Sequence, residues 1–175
     1  MATDRTHITP AMRDVVGLEL RRGVSFPITD SDIRRWALAV YYPDPAPRLF
    51  WDAEYAASTS HGGIVAPEEF NPFAWMTRPD PDEAEKPRIA AGFVSPEETL
   101  GLPPADTKSL INGGTEVDYG VRMRPGDVIT SVSRLAGYTE REGRLGLMLF
   151  TTTEDTWTNQ RDETVKTSRS TLIRY

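Results

Sequence analysis

Asp44 and Asp52 stand eight residues apart in YYPDPAPRLFWDAEYAAS, residues 41–58, among three prolines and five aromatic residues. Carboxylates held in such a stretch suit ligand binding or general acid–base work, in which a positioned side chain gives or takes a proton in the transition state. The stretch contains no histidine, cysteine or lysine to share that work. The nearest complementary group is His61, which directly precedes Gly62 and Gly63; the other histidine, His7, lies far away in sequence. Each candidate also has a structural reading. Asp beside proline stabilises turns by bonding its own backbone, which suits Asp44. Asp52 suits the N-cap of the following AEYAAST. His61 suits a packing or hydrogen-bonding role. Gly62, Gly63, Ile64 and Val65 either offer backbone groups to a ligand or form a plain loop; paired glycines allow the close approach that the first reading needs. Asn112, Gly113 and Gly114 suit a β-bulge near a pocket or an interface. Arg122 and Arg124 suit a phosphate or a solvated strand end.

These residues are positioned by elements that the sequence marks out in order. VVGLELRRGVSFPIT reads as an extended leading segment. TDSDIRRWALAVYY is a helix: Thr29 or Asp30 can cap it, and Asp32 in the first turn favours the helix dipole. Ile33, Trp36, Ala37 and Val40 form one apolar stripe, and Pro43 stops the helix. A second short helix is expected after Asp52. APEEFNPFAWM, residues 66–76, reads as a buried apolar helix with Pro67 in its first turn. Pro72 requires either a kink or a second start capped by Asn71. Trp36, Phe70, Phe73 and Trp75 are expected in the core. Residues 77–108 contain many charges and prolines and hold no long helix or strand.

From residue 109 the pattern becomes β. Thr115, Val117, Tyr119, Val121 and Met123 alternate with polar residues or glycine, as in a half-buried strand. Pro125 and Gly126 fit the centre of a type II turn. Three further strands follow, with turns expected at EREG (140–143) and NQRDE (159–163). Helices before an antiparallel meander make an α+β fold, in which a curved sheet wraps round the helix at 67–76.

Composition narrows the function. The 175 residues favour one domain with a real core. A net charge of −6 argues against nucleic acid or an anionic membrane surface as partner. The absence of cysteine excludes disulfides, thiolate catalysis and iron–sulfur ligation by this chain. Two histidines make a histidine-rich metal site improbable, and no metal is expected. There is no long apolar run and no apolar leader after Met1, so a cytoplasmic location is expected.

FPITDSDIRRWALAV, PDP…WDAEYA, GGIVAPEEFNPFAW and INGGTEVDYGVRMRPGD, in that order, resemble the hot-dog acyl dehydratases. More narrowly, they resemble the MaoC N-terminal-type or FAS1-like dehydratase domain, from about residue 14 to the end. The resemblance implies a sheet cradling a long helix, with domains paired edge to edge as dimers or fused in one chain. It implies action on acyl-CoA or acyl-carrier-protein thioesters, adding or removing water at the 2,3 position without a metal or redox cofactor. The active branch carries D-x-N-P-[LIV]-H, whose Asp and His hold and activate the water. Aligned on WALAV and PDP, the Asp position falls on Tyr42 and the Asn position on Asp44. With Asp44 as the catalytic Asp, the Asn position is Ala46 and the His position Leu49. Neither register contains the histidine.

Three functions are therefore expected. The first is a non-catalytic or weakly catalytic half of an (R)-specific enoyl-CoA hydratase or 3-hydroxyacyl-thioester dehydratase. It would shape the acyl pocket while a MaoC-type subunit supplies the dyad in a heterodimer or heterotetramer. The chain's ending after one such unit supports this expectation. The second is a homodimeric lyase using Asp44 and His61. The third is a non-catalytic acyl-thioester binding module. In each, Gly62, Gly63, Ile64, Val65, Asn112 and Gly113 are the candidate substrate-binding residues.

Overall fold

The computed structural model describes residues 6–75 and 94–175, except for the side chain of Trp75. A short helix α1 (Pro10–Asp14) precedes strand β1 (Glu19–Val24), which realises the extended leading segment. Helix α2 (Asp30–Tyr41) begins where its capping residues require. Thr29 Oγ1 accepts from the Asp32 amide at 3.2 Å, and Asp32 returns a bond to the Thr29 amide at 3.0 Å. This reciprocal cap satisfies two of the amides that a helix start leaves free. Ile33 and Ala37 are buried, and Trp36 meets Phe70 edge-on at 5.6 Å. Val40, the fourth member of the expected stripe, is exposed.

A 3-10 turn at Arg48–Phe50 and helix α3 (Ala53–Ala57) follow. The chain then enters the core in an extended and turning path. Val65, Ala66 and Phe70 are almost fully buried, as the apolar reading of this segment requires. Among the described residues, however, the helical part of 66–75 is one 3-10 turn, Pro72–Trp75, instead of a helix from Pro67. Asn71 Oδ1 accepts from the Phe73 amide at 3.0 Å, so the helical turn starts anew at Pro72. Pro72 has no amide to continue a ladder begun at Pro67. Residues 77–93 of the proline-rich zone lie outside the described residues. Its remainder contains helix α4 (Pro96–Thr99), capped by Ser95 with Glu98.

Strands β2 (Leu110–Tyr119), β3 (Thr130–Gly143), β4 (Gly146–Thr158) and β5 (Thr164–Arg174) join β1 in one antiparallel sheet of order β1-β3-β4-β5-β2. Register shifts in β1, β2 and β3 mark bulges, which bend and twist strands into a curved sheet. Arg124 and Asp127 close the expected type II turn through a 3.1 Å bond, with Gly126 at φ +88°. Two expectations are corrected. The β3–β4 turn falls at Arg144–Leu145, because Gly143 and Gly146 still pair and EREG remains in the strand. The strand expected over 115–123 ends at Tyr119, and every position of β2 is exposed. Among the described residues it is an edge strand bonded only to β5, without cover from a second neighbour.

The main core gathers Ile28, Ile33, Phe50, Val65, Phe70, Met123, Ile129 and Val165, with Trp36, Phe73 and Trp157 packed against it. By register these sheet residues lie at the end where β3 and β5 begin. Among the described residues, no helix is long and apolar enough to cross a membrane.

Candidate functional site

The glycine pair sits in a loop clamped by the segment that follows β2. The Ala66 amide donates to the Met123 carbonyl at 2.8 Å. Arg122 donates to the Ala66 carbonyl through Nε (3.1 Å) and Nη2 (2.8 Å), and to Glu68 at 2.9 Å. Arg124 Nη2 donates to the His61 carbonyl at 2.7 Å. Both arginines are therefore struts of the loop, a use that differs from either alternative in their sequence reading. Gly62 has φ +66°, a left-handed conformation that other residues rarely adopt, and Gly63 follows at φ +159°. Ile64 is half-buried and Val65 fully buried. Half-buried His61 lines a cavity of about 450 Å³ together with Gly120, Val121, Arg122, Arg124, Arg161 and Glu163.

Asp44 is exposed in the turn after α2, and the lining of the His61 cavity does not include it. Asp52 is the N-cap of α3: its Oδ1 accepts from the Tyr55 amide at 3.0 Å, and Arg48 donates to its Oδ2 at 2.6 Å. The Tyr55 amide first, and then Arg48, hold its carboxyl below the usual range. His7 is near the far end of the sheet, with Nε2 3.1 Å from the Leu147 carbonyl oxygen. The expected bulge at Asn112–Gly114 is present, with Asn112 Oδ1 accepting from the Gly114 amide at 2.9 Å. It lies on exposed edge strand β2. A Cβ at Gly113 would stand 3.0 Å from the Thr171 carbonyl oxygen, so this position keeps the strands close.

A second cavity, of about 470 Å³, opens on the inward sheet face. Arg21 and Gly23 of β1, Ser131 of β3, Asp155 and Trp157 of β4, and Ser168 of β5 line it with Asn71 and Phe73. Phe73 and Trp157 meet edge-on at 5.1 Å, and Lys166 Nζ lies 3.6 Å from the Trp157 ring centre. Burial lowers the Lys166 ammonium below its usual range, with Asp155 opposing the shift. Apart from Asn71 and Phe73, expected as a cap and a core residue, none of these residues stands out in the sequence. An acid inside TTTEDTWT is the only signal they leave, and alternation alone does not say which face turns inward.

Residues 14–168 match the model of the FAS1-like, dehydratase domain region. The chain belongs to that family. A probable enoyl-CoA hydratase alpha subunit from Thermomonospora curvata is 30% identical over 166 residues, covering 90% of this chain and 47% of that protein. The chain thus spans about half the length of the curated relative it matches. The MaoC-like dehydratase from Rhodospirillum rubrum superposes with a TM-score of 0.55 at 20% identity, over 94% of this chain and 95% of that one. The ChsH1-ChsH2 complex from Mycobacterium tuberculosis gives 0.61 at 17%, over 89% and 83%. These likenesses establish the hot-dog fold expected from the sequence.

Within this FAS1-like dehydratase region, the structure does not bring the two candidate acid–base groups into one described cavity. Asp44 stands in solvent, and His61 belongs to a loop fixed through its backbone. The polar inward-facing cavity, by contrast, offers donors and acceptors beside an aromatic wall.

Proposed function

We propose that this chain is the acyl-binding half of an (R)-specific enoyl-thioester hydratase or dehydratase acting in the cytoplasm. A MaoC-type partner supplies the Asp/His pair that activates water. The observation that carries this reading is the state of the motif segment. In the two registers its positions hold Tyr42, Asp44, Ala46 and Leu49, with no histidine, and the one carboxylate is exposed in a turn. Edge strand β2 supports a paired assembly: Leu110, Ile111, Val117 and Tyr119 are all exposed, and among the described residues no strand pairs with its outer edge. A relative named as an alpha subunit and a structural neighbour described as a complex are consistent with a shared enzyme. In this role Gly62–Val65, Asn112 and Gly113 shape the boundary of the thioester site, as a single hot-dog domain. Hydration of a conjugated thioester moves a proton and a hydroxyl and requires no metal or redox cofactor.

The test is loss of enoyl absorbance with crotonyl-CoA and a longer 2-enoyl-CoA. The purified chain is assayed alone and mixed with a MaoC-type subunit encoded beside it. Activity only in the mixture is expected. Turnover by the chain alone that His61→Ala abolishes would establish the homodimeric lyase instead.

A further inference from the structure

A sheet face wrapped round an apolar segment is expected to be apolar, because strands alternate and the inward set builds the core. The middle of this inward face is not. Ser131 stands opposite Trp157, Ser133 opposite Asp155, and Asp155 opposite Ser168. Cross-strand partners share a face, so three hydroxyls and a carboxylate point into one region beside Lys166. All four are half-buried. Among the described residues, none of their side-chain oxygens has a hydrogen-bond partner.

Their oxygens still reach solvent, so they are open to a ligand that meets them. The cavity before them, about 470 Å³, falls in the range of small-molecule sites. It has two kinds of wall. Asp155, Ser131, Ser168, Asn71 and Arg21 offer acceptors and donors. Phe73 and Trp157 offer an aromatic surface for hydrocarbon. A plain alkyl chain would desolvate the carboxylate and the hydroxyls and return no bonds, and sites built for a hydroxyl reject analogues that lack it.

We propose that this cavity binds an acyl chain oxygenated beyond the 3-hydroxyl of the reaction itself: Asp155 accepts a hydrogen bond from that further hydroxyl, Ser131 and Ser168 complete its bonding, and Phe73 and Trp157 cover adjacent hydrocarbon. The proposal deepens the reading of this chain as the acyl-binding half and rests on it.

Binding is measured separately from turnover, so that the two readings fail separately. Calorimetry of the full chain, alone and mixed with its MaoC-type partner, uses a series of dodecanoyl-CoA isomers monohydroxylated beyond the 3 position and unsubstituted dodecanoyl-CoA. At least one isomer is expected to bind about tenfold more tightly than the unsubstituted chain, equivalent to roughly one hydrogen bond. Ser168→Ala and Asp155→Ala, each checked for a native circular dichroism spectrum, are expected to erase most of that ratio, because the hydroxylated isomer loses its bonds and the plain chain no longer desolvates those groups. Equal affinities across the series, no binding of any isomer, or a ratio that survives both substitutions overturns the proposal. Selective binding without hydratase activity in the mixture retains the cavity assignment and removes the hydratase reading. Crotonyl-CoA turnover without selectivity does the reverse.

Discussion

The inward face of the sheet carries polar side chains in two regions and treats them in opposite ways. At the end near the last residues of β5, Glu97 of α4 is 0% exposed and Arg174 3%. Arg174 Nη1 and Nη2 each donate to a Glu97 oxygen at 2.8 Å, and Nη2 also donates to Thr151 Oγ1 at 2.7 Å. In the middle of the face, Ser131, Ser133, Asp155 and Ser168 are half-buried and have no such partners among the described residues. The residue types are similar, but the accounting of hydrogen bonds differs. The first region uses polarity to lock α4 onto the sheet. The second leaves polarity available to a ligand. A polar residue on an inward face therefore indicates function only after its partners have been counted.

Breaking the locked region gives the largest expected effect. Arg174→Met leaves the Glu97 carboxylate buried without its bidentate partner, and the loss should be about 3–5 kcal/mol in a denaturant titration. Adding Glu97→Gln to that variant should restore part of the loss, because no uncompensated charge then remains. Acid provides the same test without mutation. Burial works to raise the Glu97 carboxyl, but the two hydrogen bonds and the charge of Arg174 outweigh it and hold it below its ordinary value of 4.5. A carboxyl lowered in the folded state stabilises fully above its unfolded value and loses that contribution as pH falls through its folded value. The stability advantage of the natural chain over Glu97→Gln should thus be greatest near neutrality and shrink below about pH 4.5. An advantage constant across that window would mean that folding does not shift the Glu97 carboxyl, and one that grows as pH falls would mean that folding raises it.

Neither region was legible in the sequence, although the local structure around them was. Local signals foretold local structure: Thr29 with Asp32 made the cap, Pro125–Gly126 the turn, and Asn112–Gly114 the bulge. Each depends on neighbouring residues alone. The exposure of β2 did not follow from its alternation, because Val117 and Tyr119 look half-buried until the strand order puts them at an edge. Pro72 decided the helical restart only when Asn71 was seen to cap it. The locked pair joins residues 97 and 174, and the cavity gathers residues of four strands, so neither leaves a local pattern. His61 looked like chemistry from its position before two glycines. Its recorded bonds are instead backbone ones, to Thr59 Oγ1 and from Arg124.

The smallest effect sharpens the contrast most. Thr151 and Ser168 are both hydroxyl residues on the inward face of adjacent strands. Thr151→Val conserves shape and removes an acceptor for a buried guanidinium, at a cost of about 1.5–3 kcal/mol typical of hydrogen bonds to charged groups. Ser168→Ala removes a hydroxyl without a hydrogen-bond partner among the described residues, so stability should change by no more than about 0.5 kcal/mol. Its effect should instead appear when a hydroxylated acyl thioester binds. Equal losses of stability at the two positions, read from denaturant midpoints at constant slope, would show that Ser168 has an internal partner as firm as Arg174. The middle of the face would then be part of the scaffold and no longer a place for substrate.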